Sequence, residues 1–268
     1  MSLIHIAVLA LVQGITEFLP VSSSGHLILV PAVAGWPDQG LTIDVAVHVG
    51  TLFAVVLYFW RDLWEMLNGL GRALRGRRAP GARLFGLVVL GTLPLIVAGY
   101  FLNIHMESLR SLTVIGWTTL GFGVFLYFTD RVGITVRRVE HLGISDVLVI
   151  GLAQVLALVP GTSRSGITMS AARLLGMERS DAARFSMLLS IPAILGAGTL
   201  KGYELYQSGN ADLTLTAVIA AVMAFGAALV TIFALMAWLR RSTFTPFVIY
   251  RLVLGGFLLA IAYGWLGS

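Results

Sequence analysis

The sequence predicts an all-α polytopic membrane protein, with six transmembrane helices and two re-entrant helical hairpins arranged as an inverted-topology repeat. Three observations lead there. Of 268 residues, 57% are hydrophobic and 12% charged, and the mean hydropathy is +0.90; this is too apolar for a soluble domain of that length. The arginines collect in short clusters between apolar runs, and a polar proline–serine motif occurs twice, half a chain apart.

The first motif reads Gln13-Gly14-Ile15-Thr16-Glu17-Phe18-Leu19-Pro20-Val21-Ser22-Ser23-Ser24-Gly25-His26. On a helix Gln13 and Glu17 share one face, and Pro20 ends the hydrogen-bond ladder just after them. The apolar flanks, 3–19 and 24–33, are too short to cross alone, since a span needs ~20 residues. They are expected to form a re-entrant hairpin with the serines at its tip, and broken backbone at membrane depth must line a polar cavity. The second motif, Gln154 to Thr168, repeats the grammar around Pro160-Gly161-Thr162-Ser163-Arg164-Ser165-Gly166, with arms at 147–159 and 165–175. Its charge is a guanidinium, so the two copies complement each other.

The remaining elements follow in order. Residues 44–60 read as the first span, leading to a loop with Arg72, Arg75, Arg77, Arg78 and Arg83, which the positive-inside rule places in the cytoplasm. Residues 84–102 return outward, 103–110 form an external turn, and 111–128 come back to Arg131, Arg137 and Arg138. After the second hairpin comes a basic stretch with Arg173, Arg179 and Arg184. Spans at 183–200, 214–238 and 245–265 complete the chain, with an external loop at 201–213 and an inner one beginning at Arg240-Arg241. Every arginine cluster then falls on one side. The chain is one membrane domain, 1–268, whose repeats cover 1–130 and 145–268. Each repeat has three crossings, an odd number, so the second is inverted and one shared site belongs at the interface.

Other classes are excluded on composition. The net charge of +5 is a topology signal and not a nucleic-acid footprint, because the arginines do not follow one face. With no cysteine there is no disulfide, thiolate metal site or cysteine nucleophile. Met1 to Leu11 lacks a basic n-region and a small-residue cleavage site, so it is expected to belong to the mature protein.

Glu17 carries the strongest chemical signal, because a carboxylate inside an apolar segment costs ~2.5–3.5 kcal/mol even on insertion scales. Arg164 is the second: its fork of donors suits phosphate oxygens, and a glycine-flanked serine turn offers backbone N–H groups to the same anion. The competing reading is an ion pair between the two that pins the hairpins together. His26, beside Ser22, Ser23 and Glu17, titrates near neutrality. Individual serines also cap helices. Arg251 either reaches a phosphate or snorkels; Asp44 and Asp181 read as helix caps, and His48 carries no stronger claim. An acid suited to a divalent cation, a hydroxyl beside an imidazole and an arginine clamp together suit phosphoryl transfer on an amphiphile. An oxygen-only position with one carboxylate favours Mg²⁺ or Ca²⁺ over zinc.

These motifs resemble those of the bacterial undecaprenyl-diphosphate phosphatases, also called bacitracin-resistance proteins. The first family signature is met by Gln13, Glu17, Pro20, Ser22, Ser23, Gly25 and His26, and the second by Pro160, Gly161, Ser163, Arg164, Ser165 and Thr168. The resemblance extends to Ser190-Ile191-Pro192-Ala193 and Tyr250-Arg251. It implies removal of a phosphate from undecaprenyl diphosphate, a divalent cation, a bacterial cytoplasmic membrane location with the site facing the periplasm, and interlocked inverted repeats. Gln13 stands where many members carry glutamate, leaving Glu17 as the metal's carboxylate. On this reading Ser23 attacks the terminal phosphorus, Glu17 and His26 assist, and Arg164 stabilises the equatorial oxygens. Gln13, Ser22, Ser163, Ser165, Gly166 and Thr168 are expected to bind the substrate. The partners are a polyprenyl diphosphate lipid and the bilayer, with no nucleic acid; a homodimer is left open. The competing functions are a lipid-phosphate transporter or flippase and a purely structural subunit, which phosphate release by the pure protein would separate from a hydrolase.

Overall fold

The computed structural model describes residues 2–37, 40–102, 109, 111–133, 135–208 and 211–265. Those residues form eleven α-helices. Around the first motif stand α1 (Leu3–Thr16) and α2 (Ser23–Ala34), followed by α3 (Gly40–Tyr58), α4 (Trp60–Ala73), α5 (Pro80–Leu102) and α6 (Leu112–Val132). The second motif lies between α7 (Ile144–Val155) and α8 (Arg164–Leu174), and α9 (Arg179–Ser208), α10 (Ala211–Leu239) and α11 (Thr245–Ala262) complete the chain. Both motifs interrupt their helices, though earlier than the prolines: α1 ends at Thr16, before Pro20, and α7 at Val155, before Pro160.

Four of these helices are long and apolar enough to cross a membrane, or five if the bent pair α3 and α4 counts as one span. The expectation was six. The difference lies in α9: its residues Ala183, Phe185, Met187, Leu188 and Leu189 are fully buried, so that stretch faces protein, where polar residues such as Ser186 and Ser190 are accommodated. The chain also does not loop after 60, because α4 continues at 76° to α3. The loop expected at 201–213 is mostly helical, with α9 running to Ser208 and α10 starting at Ala211. The expected turn at 103–110 lies outside the described residues apart from Leu109.

Small residues set how closely the helices approach. A Cβ on Gly50 of α3 would stand 2.1 Å from the Ala221 carbonyl oxygen of α10, so only glycine permits that backbone contact. Likewise a Cβ on Gly151 of α7 would stand 2.6 Å from the Gly91 carbonyl oxygen of α5. Lipid supplies no hydrophobic drive between helices, and close backbone packing takes its place. Gly121 and Gly256, two other candidates for such contacts, have no atom within 4 Å of the position a Cβ would take.

The arginine-bearing segments gather at one end. Arg173 and Arg179 both bond Asp130 Oδ1, at 3.2 and 2.7 Å, and Asp130 Oδ2 accepts from the Phe244 amide at 3.2 Å. Arg184 bonds Asp62 and also Glu140, the latter at 3.1 Å, while Arg83 Nη1 donates to the Glu140 carbonyl at 2.9 Å. Asp181 accepts from the Val139 amide at 3.0 Å and so ties that network instead of capping only its own helix.

Arg251 of α11 is fully buried. It neither reaches the surface nor faces an open cavity. Its Nη1 donates to the Pro20 carbonyl at 3.2 Å and its Nη2 to the Gly161 carbonyl at 3.0 Å, one from each proline–serine turn. Nε and Nη2 also donate to the carbonyls of Thr119 and Thr118 on α6, at 3.1 and 3.4 Å. Arg251→Met removes every one of these donors and leaves buried acceptors unpaired, at ~1–3 kcal/mol each. We expect a loss of more than about 3 kcal/mol, read as a lowered unfolding midpoint in detergent. A variant melting with the parent protein would show that the turns hold without the guanidinium.

Candidate active site

The two turns are built alike. Ser22 and Ser163 adopt φ of 73° and 72°, a region that non-glycine residues rarely enter. Each is the N-cap of the helix that follows: Ser22 Oγ accepts from the Gly25 amide at 3.4 Å and Ser163 Oγ from the Gly166 amide at 3.1 Å. Each also pairs with the serine two residues on, Ser24 at 3.3 Å and Ser165 at 3.1 Å. The cap bond holds the strained backbone, and the result is a pair of helix N-termini whose first turns, carrying Ser23 and Arg164, line one cavity of about 350 Å³. Helix N-termini present free N–H groups to an anion.

At the floor of the cavity is Glu17. Its Oε2 accepts from Ser23 Oγ at 2.8 Å and from Gln13 Nε2 at 2.9 Å, and its Oε1 accepts from Arg164 Nη2 at 3.1 Å. Arg164 is steadied in turn by Nη1 donating to the Ser186 carbonyl at 3.2 Å. The pairing that the sequence left as an alternative, Arg164 against Glu17, is thus present, and it is part of the cavity wall. Hydroxyl, carboxylate and guanidinium form one connected group.

His26 stands elsewhere. Its Nδ1 lies 2.7 Å from the Ser22 carbonyl, which can only accept, so that nitrogen carries a proton. Nε2 lies 2.5 Å from the Tyr250 hydroxyl, with the rings stacked at 8°. Both nitrogens are occupied away from Ser23, whose Oγ is bonded to Glu17 Oε2. His26 instead braces the serine turn against α11.

Most of the expected substrate ligands also lie behind the cavity. Ser165 Oγ donates to the Leu19 carbonyl at 2.8 Å, joining one turn to the other. Thr168 Oγ1 donates to the Arg164 carbonyl at 2.8 Å and pairs with Ser186 Oγ at 2.7 Å. Gly166 is buried where a Cβ would press 3.1 Å from Arg251 Nη1, and Gln13 and Ser22 are buried too. These residues position the turns; Ser163 alone of that set lines the cavity.

Sequence reasoning passed over two further lining residues, Asp44 and His48 of α3. His48 Nε2 lies 3.5 Å from Glu17 Oε2, and its Nδ1 is held by the Asp44 carbonyl at 2.6 Å. The available signal was their spacing: four residues apart in an apolar helix, they share one face.

The divalent cation expected at Glu17 would enter a cavity that Asp44 also lines. Ca²⁺ takes about six to eight oxygen ligands, and Mg²⁺ keeps several waters and adds one or two carboxylates and substrate phosphates. Both Glu17 oxygens already face donors, one of them a guanidinium. Among the described residues no three His, Cys, Asp or Glu side chains are grouped to hold a metal.

Comparison with known proteins agrees with the whole-chain resemblance. A sequence model of the family described as bacitracin resistance protein BacA matches residues 6–257. The chain is 57% identical to undecaprenyl-diphosphatase 1 of Rhodospirillum rubrum, over 98% of this chain and 96% of the relative. It is 54% identical to the undecaprenyl-diphosphatase of Ruegeria pomeroyi, over 98% and 100%, and 49% identical to that of Hahella chejuensis, over 98% and 99%. With matches spanning nearly its full length, this chain belongs to the bacitracin resistance protein BacA family.

Proposed function

We propose that this protein hydrolyses undecaprenyl diphosphate to undecaprenyl phosphate and inorganic phosphate, recycling the lipid carrier for cell-wall synthesis and conferring bacitracin resistance. The relatives' names supply the substrate. The observation that carries the chemistry is the 2.8 Å bond from Ser23 Oγ to Glu17 Oε2 beside Arg164, a hydroxyl, its base and an anion clamp in one cavity.

In the first step Ser23 Oγ attacks the terminal phosphorus, its proton passes to Glu17 Oε2, and the bond to the bridging oxygen breaks as the lipid monophosphate leaves. Glu17 gives that proton to the departing product. In the second step Glu17 takes a proton from water as the water oxygen attacks the phosphoserine, and returns it to Ser23 Oγ as inorganic phosphate departs. Arg164 and the amides of the two helix N-termini stabilise the equatorial oxygens in both steps. The geometry favours hydrolysis over a lipid-phosphate transporter, which has no use for a serine bonded to a buried carboxylate.

The same reading places the chain in the bacterial cytoplasmic membrane with six crossings, two re-entrant hairpins and the cavity open to the periplasm. Its support is that α1, α2, α7 and α8 are each too short to span, that their turns meet at Arg251, and that the arginine-bearing segments gather at one end. Single cysteines replacing Arg77, Arg138 and Gln207 test it with an impermeant thiol reagent on intact spheroplasts: only Gln207→Cys should react from outside. Labelling at 77 or 138 would overturn the orientation.

Two sets of variants test the chemistry, with released phosphate as the readout. Ser23→Ala and Glu17→Gln should each lower kcat by several orders of magnitude, whereas His26→Ala, which loosens a brace, should lose less than either. If Ser23→Ala keeps more than about a tenth of the parent rate, under ~1.4 kcal/mol of barrier, water attacks directly. Arg164→Lys retains the charge but loses the fork. It should be nearly as impaired as Arg164→Ala, and near-normal turnover of the lysine variant would reduce the clamp to a simple charge.

A further inference from the structure

Helix α4 has the make-up of a helix that lies on a membrane surface. It leaves α3 at 76°, so with α3 across the bilayer it runs near the bilayer plane. Trp60, Trp64 and Leu67 of α4, and Leu74 just beyond it, recur at helical spacing and are exposed, while Met66 and Gly69 are buried on the far side. That side is fixed backbone to backbone: a Cβ on Gly69 would stand 2.3 Å from the Ala82 amide nitrogen, and one on Gly81 2.0 Å from the Glu65 carbonyl oxygen. Helices with tryptophan and leucine along one face and arginine beside it seat at the boundary between headgroups and acyl chains.

Between residues 66 and 83 the chain carries five arginines and no acidic residue. Arg77 and Arg78, together with Arg83 and Arg184, line a cavity of about 970 Å³, a volume typical of small-molecule sites. It shares no lining residue with the cavity at Glu17. Its apolar wall includes Leu84, Leu87 and Val139, and its carboxylates are Glu65 and Glu140. Arg184 bonds Glu140 at 3.1 Å, and Arg83 is held on the carbonyls of Glu140 and Leu142, so these arginines belong to a fixed rim. The guanidinium groups of Arg77 and Arg78 have no hydrogen-bond or ion-pair partner among the described residues. A topology signal needs arginines on one side of the membrane; it does not need them around a cavity with an apolar wall at headgroup depth.

We propose that this cavity binds the headgroup of an anionic phospholipid from the surrounding leaflet. Arg77 and Arg78 take its phosphate, as guanidinium forks suit phosphate oxygens, and the acyl chains run out along the exposed apolar side chains of α4 and α5. Clustered arginines at a membrane surface attract anionic lipid in just this way. The depth set by Trp60 and Trp64 favours a lipid over a soluble anion. The site is independent of the reaction assigned to the cavity at Glu17.

Native mass spectrometry of the full chain in detergent tests it, with dioleoyl phosphatidylglycerol and dioleoyl phosphatidylcholine as probes. One phosphatidylglycerol should bind about tenfold or more tightly than phosphatidylcholine. Arg77→Gln with Arg78→Gln should cut that preference to about twofold or less. Arg240→Gln with Arg241→Gln, which removes the same charge from another exposed pair lining a different cavity, should keep it. Equal binding of the two lipids by the parent protein overturns the proposal, as does a preference that survives loss of Arg77 and Arg78. An equal loss in both double variants overturns it too, reducing the effect to diffuse surface charge. Displacement of the bound lipid by millimolar inorganic phosphate would make the cavity a site for a soluble anion and would overturn the assignment to lipid.

Discussion

One guanidinium joins what the chain order separates. Pro20 and Gly161 lie 141 residues apart, yet their carbonyls converge on Arg251, and Thr118 Oγ1 adds a bond to the neighbouring Pro160 carbonyl at 2.6 Å. Proline breaks free carbonyls from their helical partners, and lipid offers nothing to replace them. A buried arginine, with five donors in a fixed plane, is among the few side chains able to satisfy several at once. Placement of Ser23 against Glu17, and of Glu17 against Arg164, requires that the two turns stay in register, so the reactive geometry inherits its precision from a residue that never touches the substrate.

Glu17 shows the same economy. Alone in an apolar segment it would be neutral or expelled; held by an amide, a hydroxyl and a guanidinium it is a stable carboxylate. Each donor has its own location: Gln13 is one turn earlier on α1, Ser23 lies beyond the turn, and Arg164 comes from the other motif. The carboxylate therefore reports correct assembly of both halves.

The parts legible in sequence were those whose cost in a membrane is high. Glu17, Arg164 and the paired proline–serine breaks stand out because apolar surroundings do not tolerate them without cause, and the helical architecture follows from hydropathy. Less legible were features decided by tertiary direction. His26 lies three residues after Ser23 in the chain, yet its ring bonds Tyr250 of a distant helix while Ser23 bonds Glu17. Arg251 resembles any arginine near the end of a span, and its four carbonyl partners come from distant segments. His48 had only its spacing from Asp44 to distinguish it; α3 brings it to Glu17. The 183–200 stretch reads as a span by composition, whereas its Ala183, Phe185, Met187, Leu188 and Leu189 pack against protein.

The positive φ shared by Ser22 and Ser163 limits how these positions drift over evolutionary time. Glycine would relax the backbone but surrender the oxygen that caps the next helix, and alanine would lose the cap while keeping the strain. Threonine retains the oxygen but adds a β-branch that positive φ resists. Asparagine and aspartate combine a capping oxygen with tolerance of that conformation, though aspartate would bring another negative charge close to the cavity. Serine and asparagine are left as the residues that meet conformation, capping and charge together, so restriction to these at the two positions would record a backbone requirement and would not by itself mark a group that contacts phosphate.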